Sequence, residues 1–279
     1  MKKPISQLIE ESWIALQAPE IDLEDLKLAK KHVKILLAML DEGKIRSCEK
    51  FSTGDWKVNE WVKKGILLSF KVFNNEVMNI GFASYYDKIY PKFDPNIWDE
   101  ELFASSKIRV VPGSYVRKGT YIGPNVIIMP CFINIGVYID SNTMIDSFCT
   151  IGSCAQIGKN CHISSNVVVG GVLEPVGSTP VIIEDNCFIG AGSNILEGAI
   201  IEENSVLGCG VNISNSTKII NRQTGEVMYG RVPANSVVVP GSIISENNSN
   251  ISLSCAVIVK KVDKDTRAKT SINELLRIA

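Results

Sequence analysis

The stretch "IGSCAQIGKNCHIS", residues 151–164, decides the fold. By its reactive side chains, Cys154, Cys161 and His162 invite a metal or redox site. By its spacing, Ile151, Ile157 and Ile163 recur every six residues, a period that belongs neither to an amphipathic helix nor to an alternating strand. The lead position runs unbroken through Ile139, Ile145, Ile151, Ile157, Ile163 and Val169. Four residues after the first five of these stand Thr143, Cys149, Ala155, Cys161 and Val167, all small or compact. A second run, Ile183, Ile189, Ile195, Ile201, Leu207 and Ile213, keeps the register, with Cys187, Ser193, Ala199, Ser205 and Val211 in the later slot. Val110, Val116 and Ile122 lead into the pattern, and Val232 and Val238 resume it.

A six-residue repeat has a geometric reason. Each hexapeptide supplies one short flat strand and one corner, so three of them close a triangular coil of about 18 residues. Stacked coils bury the aliphatic column and satisfy one another's backbone groups. Gly152, Gly158, Asn160, Gly190, Asn204 and Gly208 suit corners with unusual backbone angles. The spacing therefore predicts a mainly β protein built on a parallel β-helix. Cys149, Cys161 and Cys187 fall in the compact inward slot and read as small apolar core residues. Cys154, one position earlier, is left as a solvent-facing or inter-subunit thiol. His162 takes the sixth position, where side chains face outward, and is expected at the surface.

Composition excludes several classes. The 279 residues are 45% hydrophobic, enough for a sizeable core, and 29 basic against 30 acidic residues give a net charge of −1. No electrostatic surplus is available to hold nucleic acid. Glu10 and Glu11 interrupt the start before a signal-like apolar stretch forms, and no later run reaches membrane-spanning length, so a cytoplasmic protein is expected. None of the eight cysteines forms a CxxC pair, and only His32 and His162 exist to supplement them. Reduced thiols and no metal are the expectation.

Three segments follow. Residues 1–107 read as a mostly helical domain. In "DLEDLKLAKKHVKILLAMLDEG", residues 22–43, Leu23, Leu26, Ala29, Val33, Leu36, Leu37 and Leu40 recur at helical spacing, Asp22 caps the start and Gly43 suits the stop. His32 in that helix is a surface or core-edge residue rather than a ligand. Residues 59–73, "NEWVKKGILLSFKVF", read as helix running into strand. Residues 108–243 form the coil, and 244–279 a strand followed by a short helix with Ser271 and Glu274 spaced as a capping box.

A regular prism has no pocket, so function belongs to its interruptions. Two inserts stand out: "GGVLEPVGSTPV", residues 170–181, and "SNSTKIINRQTGEVMYGR", residues 214–231, the latter hairpin-like. Asp140 and Asp146 directly follow lead isoleucines. Each either caps a corner or presents a carboxylate to a cationic or amine substrate. Arg109 at the entrance to the coil is either a carboxylate-binding fork or a surface arginine. Lys260, Lys261 and Arg267 form either a phosphate-binding cluster or a solvated basic face.

Taken together, "KIRVVPG", "NIGVYIDSNTMID", "GGVLEP", "IIEDNCFIGAGS", "TGEVMYGRVPANSVVVPG" and "CAVIVKKVDKDTRAKTSINELLR" resemble the tetrahydrodipicolinate N-succinyltransferase family along essentially the whole chain. The resemblance implies that the β-helix is left-handed. It also implies a homotrimer with active sites between subunits, no permanently bound cofactor, and succinyl-CoA as cosubstrate. The acceptor would be the nitrogen of tetrahydrodipicolinate, in the route to diaminopimelate and lysine. By motif, Arg109 would take a substrate carboxylate and Asp146 would stand near the substrate nitrogen as the catalytic base. Ala191 and Gly192, with Lys260 and Lys261, would meet the cosubstrate. One departure is visible. Where the family often carries an arginine and a glutamate after "FIGA", this chain has Gly192 and Asn194, which leaves Glu174 and Glu197 as replacement carboxylates, Glu174 being the one assigned a catalytic role. The competing expectation is another hexapeptide acyltransferase, an acetyl-CoA-dependent N- or O-acetyltransferase, for which His162 would be the only coil histidine available as base.

Overall fold

The computed structural model describes residues 3–81, 83–245 and 247–270, the side chains of 268 and 269 excepted. From Arg109 the chain winds as a left-handed parallel β-helix with three faces. The first face stacks Tyr115–Val116, Phe132–Ile133, Thr150–Ile151, Val168–Val169, Asn194–Ile195 and Asn212–Ile213. The second stacks Tyr121–Ile122, Tyr138–Ile139, Gln156–Ile157, Ile182–Ile183, Ile200–Ile201 and Arg231–Val232. The third stacks Arg109–Val110, Ile127–Ile128, Met144–Ile145, His162–Ile163, Phe188–Ile189 and Val206–Leu207, then a closing hairpin.

The lead residues of both runs point inward, each 1% exposed or less, and pair coil to coil, as Ile139 with Ile157 and Ile145 with Ile163. The compact slot holds a small side chain because it faces a corner carbonyl of the next coil. Thr143 Oγ1 donates to Gly158 O at 2.8 Å, Cys149 Sγ to Ser164 O at 3.0 Å and Ser193 Oγ to Gly208 O at 3.1 Å. Ser, Thr and Cys interchange there because each fills the space and satisfies that carbonyl.

The three edges differ in composition. Between the second and third faces Asn125, Asn142, Asn160, Asn186, Asn204 and Asn235 all sit at φ between 57° and 62°, a left-handed conformation asparagine tolerates. Their amides stack, Asn125 on Asn142 and Asn160 on Asn186, both at 3.1 Å. The edge from third to first face holds Phe148 (φ 61°), Asn166 (φ 59°) and Gly192 (φ 69°) in the same slot. Phe148 is the misfit, a bulky residue in a conformation that favours glycine or asparagine, and it is 72% exposed.

The helical domain packs α1 (Ile5–Ala15), α2 (Leu23–Asp41) and α3 (Glu60–Val72) around Ile9, Val33, Leu36 and Ile66. Asp22 caps α2 by accepting from Glu24 N, and Gly43 ends it at φ 68°. A Cβ on Gly43 would lie 2.6 Å from the Tyr121 ring, so that glycine also permits the domain to approach the coil. Of the two places expected for His32 it takes the core edge: it is buried, and its Nδ1 lies 2.9 Å from Ser12 Oγ. Cys154 corrects the sequence reading. It faces away from the coil interior yet is fully buried, because Ile66 and Leu36 belong to the same cluster and seal the edge on which it stands.

The seam is also polar. Arg46 lies 3.6 Å over the Tyr138 ring and donates to Gln156 Oε1 at 2.9 Å, while Gln156 Nε2 reaches Ser47 Oγ at 2.9 Å. Glu184, 6% exposed, accepts from Trp56 Nε1 and pairs with Lys50, both at 2.8 Å. Lys63, fully buried on α3, donates to Ser178 O and fastens the insert 170–181. A short helix, α4 (Glu100–Ser106), precedes the coil.

At the far end the last coil strand lengthens to Ser236–Ser245 and turns back as Asn248–Lys261 in antiparallel register. Within the insert 214–231, Ile219–Asn221 pairs antiparallel with Val227–Met228 and parallel with the returning strand. A final helix, α5 (Lys264–Thr270), follows; the expected Ser271–Glu274 capping box lies outside the described residues.

Candidate active site

Ile145 points into the core, so the chain must turn at Asp146, Ser147 and Phe148 to start the next side. Asp146 Oδ1 accepts from Ser147 N–H at 2.7 Å, and Asp140 does the same for Ser141 at 2.7 Å on a different edge. Both aspartates therefore cap corners. Asp146 differs in its second oxygen, which lies 3.8 Å from His162 Nε2. The register explains the meeting: Met144 pairs with His162 and His162 with Phe188 on the third face. The imidazole stands edge-on to the Phe188 ring, centroids 5.1 Å apart, and is half-buried rather than a plain surface group. Sequence reasoning missed this contact although the signal was present, since 144 and 162 stand one coil apart.

Arg109 is exposed on the opening strand of the same face, two strands from Met144 through Ile127, about 10 Å at the usual strand spacing. Ala191 and Gly192 lie on Asp146's own edge, two coils the other way, again about 10 Å off. Among the described residues the Ala191 N–H meets no acceptor. A Cβ on the preceding Gly190 would stand 2.5 Å from the backbone of Gly208, so the coils close tightly there, and Ala191 itself is half-buried.

The cations at the far end are separated. Lys260 pairs with Asp263 at 2.5 Å and Lys261 donates to Ala234 O at 3.0 Å. Arg267 clamps the corner carbonyls of Asn186 and Asn204 at 3.0 and 3.2 Å. Successive strand residues point to opposite sides, so Lys260 and Lys261 do not build one phosphate pocket.

Glu174 and Glu197 share a cleft of about 780 Å³ with Gly171, Ser178 and Asn215, on the edge between first and second faces. Within one chain, then, Asp146 and Glu174 are not neighbours: they occupy the two edges that flank the first face. Asn194 lies on that face, its amide 2.5 Å from Asn212 Oδ1. The core thiols carry no nucleophile, since burial pushes Cys149 up to about 11 and Cys154 up to about 12. No group of three or more histidine, cysteine or acidic side chains converges as a metal cage among the described residues.

Comparison with known proteins gives the following. Residues 4–72 match a family described as tetrahydrodipicolinate N-succinyltransferase N-terminal. Residues 136–171 match the bacterial transferase hexapeptide family, and 180–215 the hexapeptide repeat of succinyl-transferase. A Rickettsia akari protein named 2,3,4,5-tetrahydropyridine-2,6-dicarboxylate N-succinyltransferase is 55% identical over 269 residues, 96% of this chain and 97% of its own. Proteins of the same name from Neisseria gonorrhoeae and Chromobacterium violaceum are 54% and 52% identical, covering 89% and 98% of this chain and 90% and 98% of theirs.

Proposed function

The chain belongs to the tetrahydrodipicolinate N-succinyltransferase family, and from that premise we propose that it transfers the succinyl group of succinyl-CoA to the nitrogen of 2,3,4,5-tetrahydropyridine-2,6-dicarboxylate in diaminopimelate and lysine biosynthesis. The observation that carries the site reading is the Asp146 carboxylate, held by its own corner with one oxygen directed at His162.

The chemistry needs few parts. The acceptor is a cyclic imine and the product an open-chain N-succinyl-2-amino-6-oxopimelate, so one water enters. Its addition across C=N gives a neutral amine, whose lone pair attacks the thioester carbonyl. Asp146 takes the N–H proton as the C–N bond forms, a corner N–H such as that of Ala191 holds the oxyanion, and the C–S bond breaks to release CoA, which carries the proton away. Ring opening completes the ketone. Arg109 takes a substrate carboxylate through its planar fork. The transfer is direct, a reading supported by the burial of seven of the eight thiols, which pushes those of Cys149 and Cys154 up.

The unit of function in this reading is a homotrimer. If first faces meet about a threefold axis, the Asp146 edge of one chain comes against the Glu174 edge of the next, and the two carboxylates share a cleft. The exposed rings of Phe132 and Phe148, 38% and 72% accessible on that face and edge, support the contact. Lys260 and Lys261 would then act singly on the extended cosubstrate. The eight free cysteines, seven of them buried, are in keeping with a cytoplasmic, reducing setting.

The test is thiol release with the cyclic dicarboxylate as acceptor. Turnover with succinyl-CoA and little with acetyl-CoA is expected; preference for acetyl-CoA would replace the reading with the acetyltransferase one.

A further inference from the structure

We propose that His162 is the positioning residue for the Asp146 carboxylate, a role that rests on the reading of Asp146 as the base. Asp146 has two oxygens with separate duties. Oδ1 is committed to the Ser147 N–H, which fixes the plane of the carboxylate. Oδ2 is the one a substrate meets, and its orientation is set by what it faces, the imidazole Nε2 at 3.8 Å. A shift of under 1 Å would close that approach to a hydrogen bond, and catalytic hydrogen bonds are commonly long until substrate arrives.

The column in which His162 stands makes it an outlier. After Arg109 on the opening strand, its successive members on the third face are Ile127, Met144, His162, Phe188 and Val206, so His162 is the one polar side chain within the apolar run that follows. A histidine among apolar side chains loses hydration that Ile or Met would not lose. It stands at the coil beside the aspartate. Phe188, edge-on at 73°, and Met144 on the other side limit how the ring turns. Asp140 caps its corner by the same hydrogen bond but stands on another edge, where Tyr138 is followed one coil on by Gln156 instead of a histidine.

Two substitutions separate positioning from packing. His162→Phe keeps the ring and its contact with Phe188 but removes the donor; His162→Gln keeps an N–H at the end of the side chain and removes the ring. We expect His162→Phe to lower kcat on the order of 10- to 100-fold, a part of the 10²–10⁴ a general base contributes, with KM little changed and thermal stability retained. His162→Gln should keep kcat within a few-fold. The double variant Asp146→Asn/His162→Phe should be no slower than Asp146→Asn alone. The reverse order, Phe active and Gln impaired, would show a packing role and overturn the proposal, as would full multiplicativity in the double variant. If Asp146→Asn alone stays fully active, the base assignment fails instead; if it is inactive while His162→Phe is fully active, only the histidine proposal fails. Should His162→Phe not fold, the imidazole ¹⁵N shifts of the otherwise native protein decide: they should change in Asp146→Asn, and unchanged shifts refute the coupling.

Discussion

Asp140 and Asp146 are the same residue in the same local structure, each accepting the next amide at 2.7 Å. What separates them is the neighbour one coil on, and a paired substitution reads that difference. Asp146→Asn is expected to lose about 10²–10⁴ in kcat and Asp140→Asn to stay within a few-fold, both with unchanged assembly by light scattering. The sequence placed both aspartates at corners and left their roles even. It held the information that favours Asp146, because His162 lies one coil from Met144, but the sixth-position rule treated every outward side chain as solvent-facing. Cys154, one position before the compact slot, was read as solvent-facing or inter-subunit and failed for a related reason: outward from the coil became inward to the helical domain, and one sequence read by its own period does not say what will dock on a face.

At the scale of elements, Lys63 of α3 and the insert 170–181 form one device. Burial lowers the Lys63 ammonium, so its charge is carried at a cost in exchange for holding Ser178. Lys63→Met should leave thermal stability unchanged or raised, while amides of 171–179 exchange faster with solvent by mass spectrometry. Glu184 ties Trp56 and Lys50 of the helical domain to the second face. Burial pushes its carboxyl up, but the hydrogen bonds from Lys50 and Trp56 outweigh that and hold it below the usual range. A depressed folded value means stability that is fully present above the unfolded value and lost as pH falls through the folded one. Resistance to urea should therefore weaken as pH falls below about 5, and Glu184→Gln should flatten that dependence. Periodicity made most coils legible because their sides are uniform. It was silent from 123 to 138, where one side is a residue short, Val116 pairing with Ile133 around the corner at Pro130.

At the scale of the molecule, one prism presents Asp146 and Glu174 on separate edges, and the proposed trimer is what would unite them. Phe148 is the residue that should report it. Its left-handed backbone costs on the order of 1–3 kcal/mol and its ring is exposed, neither of which a lone chain needs. Phe148→Asn, matching Asn166 in the same slot, should raise the stability of separated chains by about 1 kcal/mol in urea and shift sedimentation toward them. The architecture was readable from spacing because a repeat states its rule many times over. The site was readable only in parts, since Asp146 and Glu174 stand on two different edges of the prism and the repeat does not say what meets an edge.

The hairpin of Ser236–Ser245 and Asn248–Lys261 has a consequence of its own. A parallel stack has no inherent last member, since each winding offers the next a ready template. Here the reversal of direction acts as a terminator, turning what would be an open-ended filament into an object of fixed height. Because that terminator is encoded apart from the windings it arrests, a duplication of one winding upstream would lengthen the prism while leaving its stop intact.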